Sequence, residues 1–151
     1  MQNSLYHNSI TQKLLLLLFS LCLVDMAVAA SKGSIARSQF TTAIEDREPV
    51  DKVAVITNDI TTVYYFADVR HMEGGVVTHN WIYNGQLISK KSFTVKGPRW
   101  RVYSQKELDP SMTGKWTVIV RDGQGWPLTA AVFYYVDSTS GEKNIILPLM
   151  E

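Results

Sequence analysis

The sequence predicts an all-β domain arranged as a sandwich of seven or eight strands. From residue 35 onward, apolar and polar side chains alternate with a period of two, which is typical of half-buried strands. Turn signals interrupt these runs about every ten residues, as in known β-sandwiches. No long window has the 3.6-residue period of an amphipathic helix. A small barrel is the alternative arrangement for the same strands.

Each predicted strand is an alternating run bounded by turn residues. The runs are Ile35–Ile44, Lys52–Thr57, Ile60–Ala67, Val76–Tyr83, Gln86–Val95, Arg99–Ser104, Lys115–Asp122 and Leu128–Val136. The strongest turn signal is Asn84-Gly85, because a type I′ hairpin turn needs positive φ at both central residues. The pair Gly74-Gly75 and the segment 122–125 (DGQG) indicate two further turns.

The strand that carries Trp81 indicates the type of sandwich. In "NWIYNG" (residues 80–85), a tryptophan-bearing strand leads into a tight hairpin, as strand C does in an immunoglobulin-type domain. Residues 114–136 have the pattern of a final hairpin. The single cysteine, Cys22, lies in the first thirty residues. We therefore expect an antiparallel, immunoglobulin-like sandwich that packing alone stabilises, without the disulfide of antibody domains.

The first thirty residues have the pattern of a signal peptide. Lys13 precedes the apolar run Leu14–Val24, which is short for a bilayer span, and the small residues Ala27–Ala30 follow. We expect cleavage after Ala29 or Ala30, so that 31–151 forms one exported domain in the periplasm or outside the cell. An uncleaved membrane anchor is the alternative.

Charge and motifs exclude several function classes. The formal net charge is +1, without the clustered excess of base that nucleic-acid binding needs. No glycine-rich loop joins a strand to a helix, so nothing indicates a nucleotide or another cofactor. His71 and His79 are eight residues apart but lack obvious acidic partners, so no metal site is expected.

Alternation also assigns side chains to faces, because successive residues of a strand point in opposite directions. Trp116 shares a face with Val118 and Val120, which predicts a core position. His79 shares a face with Trp81 and other apolar residues. It is either a neutral imidazole that is hydrogen-bonded within the core, or a residue at the mouth of a pocket.

The segment "GPRWRVYS" (residues 97–104) contains the clearest candidate binding residues. Arg99, Arg101 and Tyr103 share one face, and Trp100 shares the other with Val102. The arginines form either a solvated face or a stripe that binds an anionic or sugar ligand. Guanidinium groups supply planar, bidentate donors for such a ligand, and a tyrosine ring supplies a stacking surface.

Four motifs together resemble the bacterial domain-of-unknown-function family DUF2914. They are "TTAIEDREPVD" (Thr41–Asp51), "VTHNW" (Val77–Trp81), "RWRVYS" (Arg99–Ser104) and "GKWTVIVRDGQG" (Gly114–Gly125), in this order. The resemblance implies a bacterial domain that often ends larger proteins and has no agreed activity. The matching positions are Arg47, Glu48, Pro49, His79, Trp81, Trp100, Arg101, Gly114 and Trp116. The resemblance assigns no chemical role to any of them.

The "DREP" segment has a physical interpretation of its own. Pro49 biases Glu48 away from the helical region, so we expect an extended corner between two strands. Arg47 is then placed to hold the loop through carbonyl groups, or to pair with an acid on another strand.

Three hypotheses about function remain. The first is a non-catalytic module that binds an envelope protein or polysaccharide through Arg99, Arg101, Tyr103 and His79. The second is a small hydrolase of an envelope polymer with His79 as acid or base, although no GxSxG motif supports a serine triad. The third is an assembly factor whose apolar tail, Asn144–Glu151, completes another protein's sheet. Alternatively, that tail is the final strand of its own domain.

Overall fold

Every regular element in the computed structural model, which describes residues 33–149, is a β-strand. The strands are Ser34–Thr41 (β1), Ile44–Glu45 (β2), Glu48–Pro49 (β3), Asp51–Thr57 (β4), Thr62–Arg70 (β5), Val76–Tyr83 (β6), Gln86–Thr94 (β7), Arg99–Glu107 (β8), Gly114–Asp122 (β9), Pro127–Val136 (β10) and Ile145–Pro148 (β11). All eight predicted strands are present, and three short ones are added. The all-β prediction is confirmed. The predicted signal peptide, residues 1–30, lies outside the described residues.

The long strands form two open sheets. One has three strands in the order β1-β5-β8, and the other has six in the order β11-β4-β10-β9-β6-β7. Residues of both sheets contribute to one buried core, which confirms a sandwich rather than a small barrel. Strands β1, β5 and β8 correspond in chain order to strands A, B and E of an immunoglobulin-type domain. Strands β10, β9, β6 and β7 correspond to strands G, F, C and C′.

One strand pair departs from the antiparallel pattern. Strand β4 runs parallel to β10, with Val55 opposite Tyr134 and Thr57 opposite Val136. The chain crosses from the three-stranded sheet to the six-stranded sheet between β1 and β4. After the crossing, β4 lies beside β10 and runs in the same direction as β10. Hydrogen bonds hold the crossing: the Asp51 carboxylate accepts one from the Thr41 hydroxyl and one from the Thr42 amide, both at 2.8 Å.

The expected extended corner at "DREP" is a separate small hairpin. Strands β2 and β3 pair, and the turn between them consists of Asp46 and Arg47, with φ of 48° and 66°. Positive φ is uncommon for residues other than glycine, so neither residue signals this turn in the sequence. Glu48 and Pro49 are extended, as the proline effect predicts.

Aromatic contacts join the two sheets. Phe40 of β1 lies 4.7 Å from Phe133 of β10 and 5.7 Å from Trp81 of β6, with the rings edge to face. Tyr65 contacts Phe40 at 5.0 Å, and Trp116 stacks on Phe133 at 6.3 Å. Such pairs contribute about 0.5–1.5 kcal/mol each beyond the burial of their area. The predicted core positions of Trp81 and Trp116 are confirmed, since both are almost fully buried.

The apolar tail forms part of its own domain. Strand β11 pairs antiparallel with β4, and Asn144 Oδ1 accepts a hydrogen bond of 2.7 Å from the Thr57 amide. This arrangement corresponds to the alternative in which the tail is a final strand. Residues 33–149 include no helix with the length and apolar character needed to cross a membrane.

The aromatic core predicts unequal effects at two neighbouring positions of β10. Phe133 is fully buried, whereas Tyr134 is 50% exposed. Phe133→Ala should lower the free energy of unfolding by about 3–5 kcal/mol through lost burial and a residual cavity. The matched control, Tyr134→Ala, should lower it by about 1 kcal/mol or less. Urea unfolding measures both, and equal losses would contradict the assigned orientation of β10.

Candidate ligand-binding surface

Strand β8 separates its side chains between the core and the surface. Val102 is opposite Ala67 on the inner face and is 4% exposed, whereas Tyr103 is opposite Phe66 on the outer face and is 44% exposed. Arg99 and Arg101 share the outer face with Tyr103, because register partners and alternate residues point the same way. The predicted grouping of Arg99, Arg101 and Tyr103 is therefore present.

Asp68 holds two arginines on this face. Its carboxylate accepts two hydrogen bonds of 2.9 Å from Arg70, and bonds of 3.0 and 3.2 Å from Arg99. Burial of the carboxyl by itself would raise the pKa of Asp68. The hydrogen bonds and positive charges of Arg70 and Arg99 outweigh that effect, so the pKa lies below its usual value. Asp68 thus stays ionised and keeps both guanidinium groups in fixed orientations.

Glu48 plays the same role for a second pair of arginines. Its Oε1 lies 2.7 Å from Arg101 Nη1, and its Oε2 accepts a hydrogen bond from Arg37. The Arg37 guanidinium also lies 5.0 Å above the ring of Phe66, whose side chain is fully buried beneath it. The β2–β3 hairpin therefore contributes a carboxylate to the outer face of the three-stranded sheet.

Together these residues form a surface that we call the arginine face. It consists of Arg37, Arg70, Arg99, Arg101 and Tyr103, with Glu48 and Asp68 as bridging acids. The four guanidinium groups exceed the two carboxylates by two positive charges. Each guanidinium carries five N–H donors, of which the carboxylates occupy one or two. The face can therefore donate hydrogen bonds to carboxylate, sulfate or phosphate oxygens of a ligand.

A cleft adjoins this face at Tyr103. It lies between the edge strands β7 and β8 and has a volume of about 350 Å³. Its walls include Lys90 and Lys91 on one side and Tyr103 and Gln105 on the other, and Trp81 lies among the lining residues. The two lysines extend the positive surface beyond the three-stranded sheet.

His79 is not on the arginine face. It is fully buried between the sheets, where its Nδ1 lies 2.9 Å from Ser104 Oγ. Trp81 Nε1 donates a 3.0 Å hydrogen bond to the same oxygen, which leaves the serine hydroxyl able to donate to the imidazole. Burial lowers the pKa of His79 from 6.5 to about 3, so the ring is neutral at physiological pH. The structure thus brings His79 and Ser104 together across the core.

Among residues 33–149, no carboxylate contacts His79 or Ser104 in the arrangement of a catalytic triad. Asp68 is bound to arginines on the outer face, and Asp109 bonds to the backbone and hydroxyl of Ser111. His79 Nε2 has no hydrogen-bond partner among residues 33–149. No group of three or more potential metal ligands occurs in that range either. The histidine connects a strand of each sheet through Ser104, and protonation would leave a buried charge without a counterion.

Two other motif positions have structural contacts. The Arg47 guanidinium lies 5.4 Å from the ring of Trp100, a cation–π contact that contributes about 0.5–1 kcal/mol at an exposed site. Trp100 is half-buried against the core, as its face predicts. Gly114 has φ of 130° and faces Tyr83 and Asn84, a conformation that glycine adopts without strain.

Sequence patterns missed the partners of the predicted arginines. Asp68 and Arg70 are two residues apart in one strand, so their shared face was readable from the sequence. Their pairing with Arg99 depends on the β5–β8 register, which local patterns do not determine. Local patterns likewise do not determine the pairing of Arg37 with Glu48, or the position of Lys90 and Lys91 across the cleft from Tyr103.

The buried imidazole predicts a specific dependence of stability on pH. The unfolded chain binds a proton at His79 near pH 6.5, whereas the folded protein does so only near pH 3. The contribution of the neutral imidazole to the free energy of unfolding is therefore fully present above pH 6.5. It is lost as the pH falls from 6.5 to about 3. The expected loss is about 1.4 kcal/mol per pH unit in this window.

Urea unfolding at pH 7 and pH 5 measures the effect. His79→Gln should flatten the pH dependence in that range, while wild-type protein loses stability. If both proteins lost the same amount, His79 would not be the responsible group.

Comparison with known proteins finds the family that the four motifs resemble. The model of a family described as "Protein of unknown function (DUF2914)" matches residues 75–135, which include strands β6 to β9 and all of β10 except Val136. Three of the four motifs lie inside this match, and the Thr41–Asp51 motif lies outside it. No curated protein has a significant similarity to the chain. Residues 75–135 therefore match DUF2914, a family of unknown function, as the sequence motifs indicated.

Proposed function

We propose that this protein is an exported, non-catalytic binding module of the bacterial envelope that recognises an acidic protein or polysaccharide through the arginine face. The export part rests on the signal-peptide pattern of residues 1–30. The binding part rests on the arginine face and on the cleft beside Tyr103, whose residues all lie within 33–149.

The observation that carries the proposal is the local concentration of positive charge. The whole chain has a formal net charge of only +1. The arginine face alone has a surplus of two positive charges, and Lys90 and Lys91 line the cleft on the other side of Tyr103. Because the rest of the chain is balanced or slightly acidic, an acidic partner would be attracted to this surface in particular.

The bridging carboxylates favour binding by fixing the donors in advance. Asp68 is almost fully buried and engages both arginines beside it, so these side chains lose little further freedom when a ligand binds. Glu48 restrains Arg37 and Arg101 in the same way. Incoming anionic groups would use the remaining N–H donors, and the exposed ring of Tyr103 would supply contact area for a peptide or a sugar.

The Ser104–His79 contact favours a hydrolase as the second candidate. An imidazole within 2.9 Å of a hydroxyl is the geometry that activates a nucleophile. Both side chains are buried, however, and an imidazole with a pKa of about 3 is a weak base. Incubation with peptidoglycan separates the candidates: fragments that wild-type protein releases and His79→Gln does not would favour the hydrolase.

The binding proposal predicts a charge-specific loss in Arg101→Gln. The purified protein should bind polyglutamate or polygalacturonate at low ionic strength, and binding should weaken toward about 0.15 M salt. Arg101→Gln should weaken it by about fivefold or more, which corresponds to about 1 kcal/mol. Isothermal titration measures the affinity for each polymer and shows whether a polypeptide or a polysaccharide is preferred.

Lys115→Gln is the matched control, because Lys115 is exposed on β9 of the other sheet. It removes one positive charge from the chain without touching the arginine face. Equal losses in Arg101→Gln and Lys115→Gln would show that net charge, rather than this surface, causes binding.

A further inference from the structure

Trp126 is the most exposed large hydrophobic residue of the described chain, at 68%. It follows the turn between β9 and β10 and borders an open pocket of about 570 Å³. Asp122, Gln124, Met72 and Leu128 also line this pocket. The other large exposed apolar side chains lie within strands, whereas Trp126 lies outside them. The pocket beside its indole has a size typical of small-ligand sites.

The turn that carries Trp126 is held by several hydrogen bonds. Asp122 Oδ1 accepts bonds from the Gln124 amide at 2.9 Å and from the Trp126 amide at 2.8 Å. The Asp122 amide donates to the Trp126 carbonyl at 2.9 Å, and Arg121 Nη1 donates to the Gly125 carbonyl at 2.8 Å. Gly125 has φ of 90°, which a side chain would oppose. The backbone beneath the indole is therefore fixed, so a ligand would not have to order it.

We propose that this pocket binds a neutral sugar ring stacked on the indole of Trp126. A pyranose presents an apolar C–H face and a rim of hydroxyl groups, and the pocket offers a complement to each. The indole matches the C–H face. Asp122 Oδ2, which has no donor among residues 33–149, and the Gln124 side-chain amide are placed to bond hydroxyl groups.

The composition of the pocket disfavours other ligands. The Asp122 carboxylate repels anions, and the neighbouring Arg121 is not among the described residues that line the pocket. A quaternary ammonium ion is usually held by several aromatic walls, and Trp126 is the single aromatic residue among the described residues of this lining. A lipid surface would favour basic and apolar residues around the indole, whereas Asp122 and Gln124 flank it.

The sugar site does not depend on the arginine face. No residue of the arginine face lines the Trp126 pocket. Variants at one surface can therefore be tested for effects at the other, and either proposal can fail alone.

Nuclear magnetic resonance of the four tryptophan indole N–H groups tests the site directly. The probes are tetramers of N-acetylglucosamine, of β-1,4-linked glucose and of α-1,4-linked glucose. Choline is added as a separate probe that tests binding of a quaternary ammonium ion. The indole signals of Trp81 and Trp116 are internal controls, because both are buried and bonded to Ser104 and to Met112. Trp126→Phe assigns the signal of Trp126.

We expect at least one tetramer to shift the Trp126 signal saturably, with the two control signals unchanged. Trp126→Ala, followed through the backbone amide signals of Asp122 and Gln124, should then bind about tenfold more weakly or worse, and Arg101→Gln should leave binding unchanged. Amide dispersion of Trp126→Ala checks that the fold survives. The proposal is overturned if no tetramer shifts this signal at about 10 mM, if only choline does, or if binding persists in Trp126→Ala.

Discussion

Aromatic contact between the two sheets, with Phe40 at its centre, is the interaction on which the structure depends. Phe40 contacts Tyr65 within its own sheet and Trp81 and Phe133 in the other. Because the described chain contains no cysteine, burial and packing must supply the stabilisation that a disulfide gives antibody domains. The position of Phe40 also determines which face of β1 is buried, and therefore that Arg37 lies outside.

The orientation of β8 follows from the same core. Val102 packs inward and Ser104 bonds to His79 and Trp81 of the opposite sheet, so this strand cannot slip by one residue without burying arginines. The apolar core and the hydrogen bonds across it thereby hold Arg101 and Tyr103 at the surface. The binding proposal is a consequence of this register, and the buried histidine contributes to the surface through Ser104 rather than by contact with a ligand.

Local patterns predicted much of the fold because most strands have one buried and one exposed face. They failed where a feature depends on unusual backbone conformation or on distant pairing. Asp46 and Arg47 adopt positive φ without being glycine, so the β2–β3 hairpin was missed. The parallel pairing of β4 with β10 depends on the crossing between sheets, which alternation does not encode.

The candidate site was predicted only in part, because some of its contacts also depend on distant pairing. Alternation placed Arg99, Arg101 and Tyr103 together, but Glu48 reaches Arg101 only through the unpredicted hairpin. His79 was assigned both a binding role and a core position, and the structure places it in the core. Trp126 was not distinguished from the other tryptophans, because a residue beside a hairpin turn has no periodic signal of burial or exposure.

Contact between the surface around Tyr103 and a partner in the cell is what we propose. The most direct measurement replaces Tyr103 with a photo-reactive phenylalanine derivative in living cells and analyses the adducts formed on illumination. We expect adducts that Arg101→Gln diminishes and that the same derivative at Lys115 does not form. Protease treatment would distinguish a protein adduct from a polysaccharide adduct. Absence of an adduct from folded, exported protein, or the same adducts from both positions, would contradict a binding site around Tyr103.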